Sequence, residues 1–257
     1  MTEPVMEARE VGKTFASVIA LSGISLKVIP GQVTCVLGDN GAGKSTLIKI
    51  LSGVHPHDSG ALLIDGKPST LHAPHEALAA GIATVYQDLA MVPLMSVWRN
   101  FFLGSELTGP LGSLRHTTMK KETAEQMAML GIDLRDVEQP VGTLSGGERQ
   151  SVAIARAIYR GARVLILDEP TAALGVKQSG VVLKNIRAAR ARGVAVVFIT
   201  HNPQHAYLVG DRFLVLNRGA SLGEYAKDEI TLDRLTTLMS GGAELTALKN
   251  QLEAGES

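Results

Sequence analysis

A run of eight residues combines three glycines with a lysine and a serine, a combination that can bind phosphate: Gly38, Asp39, Asn40, Gly41, Ala42, Gly43, Lys44 and Ser45. It follows the apolar run 33–37 and precedes a helical pattern, 46–51, that begins with Thr46. Glycines allow successive backbone N–H groups to point inward at an anion, and the following helix adds the positive end of its dipole. The pattern predicts a phosphate-binding loop between a strand and a helix.

Two side chains of this loop could act on a nucleoside triphosphate. Lys44 would sit between the β- and γ-phosphates, and the Ser45 hydroxyl would bind Mg²⁺. An ordinary glycine-rich turn is the alternative. However, the four fixed positions of the motif (two glycines, the lysine and the serine) match by chance in only about one in a hundred chains of this length. The sequence therefore favours nucleotide binding.

Two adjacent carboxylates, Asp168 and Glu169, come directly after the apolar run 164–167. A continuous apolar run is typical of a buried parallel strand, and ligands gather at the carboxyl ends of such strands. The sequence therefore predicts that both carboxylates belong to a site. A solvated turn is the alternative.

A second glycine-containing motif, 144–150, begins another helix. Ser145 followed three residues later by Glu148 is a capping box, so one interpretation is simply a well-capped helix. The other interpretation rests on Gly146 and Gly147, which place no side chains where the backbone amides of the first turn converge. That helix end would then be open to an anion.

The remaining pattern predicts an α/β fold that positions these groups. Apolar runs at 5–11, 24–29 and 33–37 predict antiparallel strands joined by turns, one of them at Pro30-Gly31. Further strands are expected at 61–64, 82–86, 164–167, 194–199, 213–216 and 221–225, and helices at 74–80, 118–130, 145–158, 176–192, 230–239 and 245–252. Residues 88–134 predict a mostly helical lobe inserted between strands of the main sheet. Gln87 and His201 each follow a strand.

Composition excludes several classes of protein. The chain of 257 residues is 45% apolar and 19% charged, which indicates a globular protein. Its 25 Lys+Arg balance 25 Asp+Glu, which argues against a nucleic-acid partner because such proteins usually carry a basic excess. The strongly apolar runs are strand-sized, and the first residues lack the pattern of a signal peptide, so we expect a cytoplasmic protein. The single cysteine, Cys35, is expected to be a buried core residue.

These motifs occur in an order that resembles the ATP-binding subunit of an ABC transporter, over residues of about 5 to 240. The phosphate loop, Gln87, the 144–150 run, the carboxylate pair and His201 carry the resemblance. It implies a P-loop NTPase (ABC ATPase) core with an N-terminal antiparallel β subdomain. It also implies an inserted helical subdomain at about 88–160. The whole of 1–257 would form one ATPase domain, with 241–257 as a C-terminal tail.

The resemblance implies roles for single residues. Phe15 would stack on the adenine of ATP, Ser45 and Gln87 would bind Mg²⁺, and Asp168 would hold the ion through water. Glu169 would polarise the attacking water as general base, and His201 would contact the γ-phosphate. The nucleotide-binding set would be Phe15, Gly38, Asp39, Asn40, Gly41, Ala42, Gly43, Lys44, Ser45, Thr46, Gln87, Ser145, Gly146, Gly147 and Asp168. Of these, Ser145, Gly146 and Gly147 would reach the nucleotide held by a second copy of the chain.

Details of the phosphate loop, of 86–89 and of 170–176 are similar to the ATPases of bacterial sugar importers of the fructose, ribose and xylose type. This implies a head-to-tail homodimer on the inner face of the cell membrane. Its partners would be integral membrane permease subunits, docked on 88–112, and indirectly a secreted sugar-binding protein. Gly175 departs from the acidic residue that most of the family has there.

Two alternatives remain open from the sequence. A non-transport member of the family would act on nucleic acid or the ribosome, but such proteins usually have two ATPase halves or a long coiled coil in one chain, and a basic surface. A small-molecule kinase built on the same loop would leave the 144–150 run unexplained.

Overall fold

The structure, a computed structural model, describes residues 3–132 and 134–240. Two sheets make up its frame, one of six strands and one of four strands. The predicted helix at 245–252 and the tail at 241–257 lie outside the described residues.

The six-stranded sheet carries the candidate site. Its strands are β3 (Val33–Leu37), β6 (Ile82–Val85), β7 (Val164–Asp168), β8 (Ala195–Thr200), β9 (Arg212–Asn217) and β10 (Ala220–Ala226). All neighbours are parallel except β9 and β10, which form an antiparallel pair. Every residue of β3 and β8 is buried, as expected for strands covered on both faces.

The four-stranded sheet is antiparallel and consists of β1 (Met6–Phe15), β2 (Val18–Val28), β4 (Ser59–Ile64) and β5 (Lys67–Pro68). The expectation that 33–37 would join these strands is wrong, because β3 lies in the other sheet between β8 and β9. The turn at Pro30-Gly31 therefore carries the chain from one sheet to the other. Gly31 has a φ of +70°, which a residue with a β-carbon rarely adopts.

The helices of the described residues either pack on the six-stranded sheet or, for 97–102 and 116–129, belong to the inserted lobe. They are α1 (Lys44–Leu51), α2 (Pro74–Ala79), α3 (Val97–Phe102), α4 (His116–Met129), α5 (Gly146–Tyr159), α6 (Val176–Ala191), α7 (Pro203–Val209) and α8 (Leu232–Met239). One core lies between the sheet and α5, α6 and α7, and a second between the sheet, α1 and the antiparallel strands. None of the helices in the described part of the chain has both the length and the apolar character needed to span a bilayer.

The inserted lobe is less helical than expected. Among the described residues of 88–134, the helical segments are α3, α4 and one short 3₁₀ turn, Pro110–Gly112. Glycines and a proline at 104–112 separate α3 from α4. Its apolar residues mostly form its own core: Phe101 and Phe102 are fully buried, whereas the Leu94 side chain is 91% exposed.

Cys35 is completely buried in β3, and burial raises the pKa of its thiol. This confirms it as a core residue.

Candidate active site

A cleft of about 490 Å³ opens at the carboxyl end of β3. It is lined by Val18, Ile19, Ala20, Asp39, Asn40, Gly41, Ala42, Gly43, Lys44, Ser45, Thr46, Gln87, Asp168, Glu169, Arg218 and Gly219. Because β6, β7 and β8 run parallel to β3, their carboxyl ends bring Gln87, the carboxylate pair and His201 to the same edge. The topology thus assembles groups that are far apart in the sequence.

The phosphate loop adopts a conformation that requires its glycines. Gly38, Gly41 and Gly43 all have positive φ values, of 153°, 82° and 102°. A β-carbon at Gly38 would collide with the Leu216 carbonyl oxygen, and one at Gly43 would lie 2.8 Å from Leu21 Cδ2. The loop leads directly into α1, whose first turn has no side-chain cap. Its amide groups therefore face the cleft as donors suited to an anion.

Lys44 is the central cation of the cleft. Its side chain is almost buried, and its Nζ donates to the carbonyl oxygens of Gly38 at 2.6 Å and Asp39 at 3.1 Å. The same atom lies 3.6 Å from Glu169 Oε1. The ammonium group therefore links the phosphate loop to the end of β7.

Glu169 is held from two sides. Its Oε2 lies 2.9 Å from His201 Nδ1 and accepts a longer bond of 3.4 Å from the His201 backbone N–H. Its own N–H donates to the Ile199 carbonyl at 3.0 Å. The backbone of Glu169 is left-handed, with a φ of +48°. Such a conformation is unfavourable for a residue with a long side chain and persists only where the surroundings enforce it.

The neighbouring carboxyl, Asp168, has a raised pKa. Burial is the largest cause, the Glu169 carboxylate adds to it, and Lys44 and Lys49 oppose it. Two carboxylates side by side at the end of a buried strand leave negative charge that a divalent cation would neutralise.

The donor set also fits Mg²⁺. Ser45, Gln87 and Asp168 line the same cleft and offer hydroxyl, amide and carboxylate oxygens, which are the ligands that Mg²⁺ prefers. Within the described residues, no group of three or more His, Cys, Asp or Glu side chains could hold a metal ion. A Mg²⁺ ion here would take further oxygen ligands from phosphate or water.

Three residues of the 144–150 motif, Ser145, Gly146 and Gly147, are not among the residues that line this cleft. The predicted capping box is present: the Ser145 hydroxyl accepts from the Glu148 N–H, and the Glu148 carboxylate accepts from the Ser145 N–H at 2.7 Å. A β-carbon at Gly147 would lie 2.9 Å from the Gln178 carbonyl oxygen. The glycines thus allow α5 to approach the start of α6 closely.

Phe15 also lies outside the lining of the cleft. It ends β1, is 42% exposed and makes an edge contact with the His55 ring at a centroid distance of 5.4 Å. It is separated by two residues from Val18, which does line the cleft.

Sequence reasoning missed two groups of residues that line the cleft, one at the start of β2 and one in the turn between β9 and β10. Val18, Ile19 and Ala20 begin β2 just after Phe15, and their closeness to it in the chain is a signal that could have identified them. Arg218 and Gly219 form the turn between β9 and β10, and Gly219 N–H donates to the Ala42 carbonyl at 3.0 Å. Nothing local indicates that this turn lies in the cleft, because it is about 180 residues from the phosphate loop in the chain.

Comparison with known proteins gives a consistent result. A family model described as "ABC transporter" matches residues 21–172. The xylose/arabinose import ATP-binding protein XylG of Sulfolobus acidocaldarius is 42% identical over 93% of this chain and 95% of its own length. The fructose import ATP-binding protein FrcA of Rhizobium meliloti is 41% identical over 94% and 96%. A ribose import ATP-binding protein, RbsA 2 of Burkholderia pseudomallei, is 41% identical, but the match spans only 47% of its length.

Solved structures share the fold. A nucleotide-free ATP-binding cassette from an ABC transporter superposes with a TM-score of 0.77 at 22% identity, covering 92% of this chain and 95% of that one. A bacterial ABC transporter cassette solved as a dimer gives a TM-score of 0.73 at 25% identity, covering 86% and 98%. The predicted fold class is therefore confirmed.

Proposed function

The chain belongs to the ABC transporter ATPase family, and on that basis we propose that it energises the import of a sugar through separate membrane permease subunits. As a member of this family it binds nucleotide and hydrolyses ATP. The relatives matched along nearly their whole length are import ATP-binding proteins for xylose/arabinose and for fructose. They favour import over the alternative of a family member acting on nucleic acid.

The observation that carries the proposal is the placement of Glu169 between Lys44 and His201 in the cleft. Lys44 Nζ is 3.6 Å from one carboxylate oxygen, and His201 Nδ1 is 2.9 Å from the other. We assign Glu169 as the general base, which accepts a proton from the water that attacks the γ-phosphate. His201 orients that carboxylate and contacts the γ-phosphate.

Lys44 would exchange partners when ATP binds. Its ammonium group neutralises Glu169 in the present structure, and the β- and γ-phosphates would compete for it. Glu169 would then be free to accept a proton. The glycine amides of the loop and the start of α1 would bind the remaining phosphate oxygens.

A Mg²⁺ ion at Ser45, Gln87 and Asp168 would neutralise negative charge on the β- and γ-phosphates. The raised pKa of Asp168 supports this assignment. Burial is its main cause and the Glu169 carboxylate adds to it, and a bound cation would stabilise the charged form of Asp168 against both. Phe15 is assigned to the adenine, at the edge of the cleft beside Val18.

A second copy of the chain would complete the site. Because Ser145, Gly146 and Gly147 do not line the cleft of their own chain, we assign them to the γ-phosphate of the nucleotide held by a partner copy. Dimeric cassettes with the same fold support a dimer of this chain. The head-to-tail orientation follows from the assignment of Ser145, Gly146 and Gly147 to the partner's nucleotide.

The permease would dock on the inserted lobe. A cavity of about 320 Å³ on that lobe is lined by Met95, Trp98, Arg99, Phe102, Leu103, Glu106, Leu114, His116 and Met119. Nearby, Leu94 is almost fully exposed. Docking there would place the chain at the inner face of the cell membrane, with a secreted sugar-binding protein delivering the sugar on the other side.

Replacement of Glu169 tests the assignment of the base. Glu169→Gln keeps the size of the side chain but cannot accept the proton, so phosphate release should fall about 10²- to 10⁴-fold while ATP affinity is kept. The variant should also accumulate as an ATP-bound dimer, measured by light scattering after size exclusion with and without Mg-ATP. Glu125→Gln, at an exposed carboxylate of α4, is the matched control. Near-normal hydrolysis in Glu169→Gln would move the base to another residue.

Sugar import needs its own test. Cells that lack the gene should lose uptake of one of the radiolabelled sugars xylose, arabinose, fructose or ribose, and the wild-type gene should restore it while Glu169→Gln does not. Unchanged uptake of every sugar would refute the sugar assignment and leave the ATPase assignment intact.

A further inference from the structure

A second histidine contacts the chain just beyond Glu169. His205 Nδ1 lies 3.1 Å from the hydroxyl oxygen of Thr171, whose side chain is almost fully buried. Burial lowers the pKa of His205, and the nearby His201 lowers it further. The imidazole is therefore neutral at pH 7, and its Nδ1 can either accept a hydrogen bond from the Thr171 hydroxyl or donate one to it.

His205 is itself firmly placed. Its backbone N–H donates to the Asn202 side-chain oxygen at 3.0 Å, which caps the start of α7. The Asn202 N–H in turn donates to the hydroxyl of Thr200, the buried last residue of β8. The backbone that carries the imidazole is thus linked through two hydrogen bonds to a central strand of the sheet.

Thr171 belongs to the turn that holds Glu169 in its unfavourable backbone conformation. The Ala172 N–H donates to the Glu169 carbonyl at 3.0 Å, and the Leu174 N–H donates to the Thr171 carbonyl at 3.4 Å. Both Glu169 and Ala173 have positive φ values, of 48° and 59°. Because a turn of this kind persists only if its surroundings enforce it, something must hold it in place.

The end of β8 and the start of α7 supply two such contacts. His201 contacts the Glu169 carboxylate directly, and His205 contacts Thr171 two residues further along. We propose that His205 is a positioning residue for ATP hydrolysis, which acts through Thr171 to hold the turn that aims the Glu169 carboxylate. The proposal rests on the proposed role of Glu169 as the base.

A purely structural role is the competing explanation. The Thr171 hydroxyl is buried, and a buried hydroxyl needs a partner whether or not the turn is functional. The two explanations differ when both partners are replaced by apolar groups. Such a double replacement restores stability because no buried polar group is left unpaired, yet it does not restore the hydrogen bond that positions the turn.

The experiment uses four variants of the full chain. His205→Leu and Thr171→Val each remove one partner at similar volume, their combination removes both, and His205→Asn keeps a polar atom near the position of Nδ1. For each, kcat and KM for ATP are measured together with the melting temperature. His75→Asn, at an exposed histidine of α2, controls for loss of an imidazole elsewhere.

We expect both single variants to lower kcat about 10-fold with KM changed less than about twofold, since a small misplacement of a reacting group costs rate more than binding. The double variant should lose no more than either single variant, because the two residues act as one unit. Its melting temperature should return close to that of the wild type while its kcat stays low. His205→Asn should recover most of the rate.

Two results would overturn the proposal. One is a wild-type kcat in His205→Leu; the other is a double variant whose kcat recovers together with its melting temperature. Glu169→Gln measured in parallel separates this proposal from the proposed function. If Glu169→Gln is inactive while His205→Leu hydrolyses ATP normally, only the positioning role of His205 fails. If Glu169→Gln is active, the assignment of Glu169 as the base and the positioning role of His205 fail together.

Discussion

Removal of the Lys44 charge should abolish nearly all stabilisation of the chain by ATP. A ligand present at about 100 times its Kd stabilises the folded state by about 2.7 kcal/mol. For a chain of this size, that raises the melting temperature by about 5–11 °C. The wild type should show a shift of this size with ATP.

The expected loss follows from the contacts of Lys44. Its Nζ already makes two hydrogen bonds to carbonyls of the loop, so it is placed to donate to two phosphate groups instead. Hydrogen bonds to charged groups contribute about 1.5–3 kcal/mol each. Losing two therefore weakens binding by about 3 kcal/mol or more, which is at least about 150-fold. At the same ATP concentration, Lys44→Met would then gain only about 0.3 kcal/mol, or about 1 °C.

Thermal denaturation with and without ATP measures the ATP-dependent shift in melting temperature. For each variant, the shift is taken relative to the same variant without ATP. That design matters because Lys44 also contacts Glu169, so its removal changes the stability of the nucleotide-free chain as well. Lys184→Met, at an exposed lysine of α6, controls for the loss of one positive charge. An ATP-dependent shift in Lys44→Met as large as in the wild type would refute the phosphate-loop assignment.

Two further predictions concern neighbouring groups. The pKa of Asp168 is raised in the folded chain. Protonation of Asp168 therefore stabilises the fold at a pH below about 4, the pKa of Asp in the unfolded chain, and this stabilisation is lost as the pH rises through the pKa of Asp168 in the folded chain. Asp168→Asn should therefore melt higher than the wild type at pH 7 without nucleotide, with the difference shrinking towards pH 4; a variant that melts lower at pH 7 would contradict the raised pKa. Gly147→Ala places a β-carbon 2.9 Å from the Gln178 carbonyl oxygen. This variant should lose ATP hydrolysis while keeping the ATP-dependent shift in melting temperature. The control variant Gly180→Ala, whose β-carbon meets open space in α6, should keep both. Normal phosphate release in Gly147→Ala would contradict this.

The parts of the site that could be predicted are those encoded locally. The loop around Lys44 and the pair after β7 combine an apolar run with a few special residues, and both lie where that pattern puts them, at carboxyl ends of parallel strands. The capping box at Ser145 is local in the same sense. The assigned roles of these residues stay predictions.

The parts that could not be predicted depend on long-range pairing. An isolated apolar run such as β3 does not specify its neighbours, and those neighbours, β8 and β9, lie about 160 residues further along the chain. Arg218 enters the cleft because its hairpin docks on the phosphate loop, which no local pattern indicates. The apolar content of the lobe suggested more helix than glycine and proline allow there.

Two glycines lie near the end of the turn that follows Glu169, and the structure explains only one of them. A β-carbon at Gly146 would lie 2.5 Å from the Leu174 side chain, so close packing between α5 and this turn explains that glycine. At Gly175, a β-carbon would meet nothing within 4 Å, and its φ of −68° suits any residue. Packing therefore does not exclude an acidic side chain at 175. Within the chain, Leu174 is the residue of this turn that packs against Gly146 in the first turn of α5.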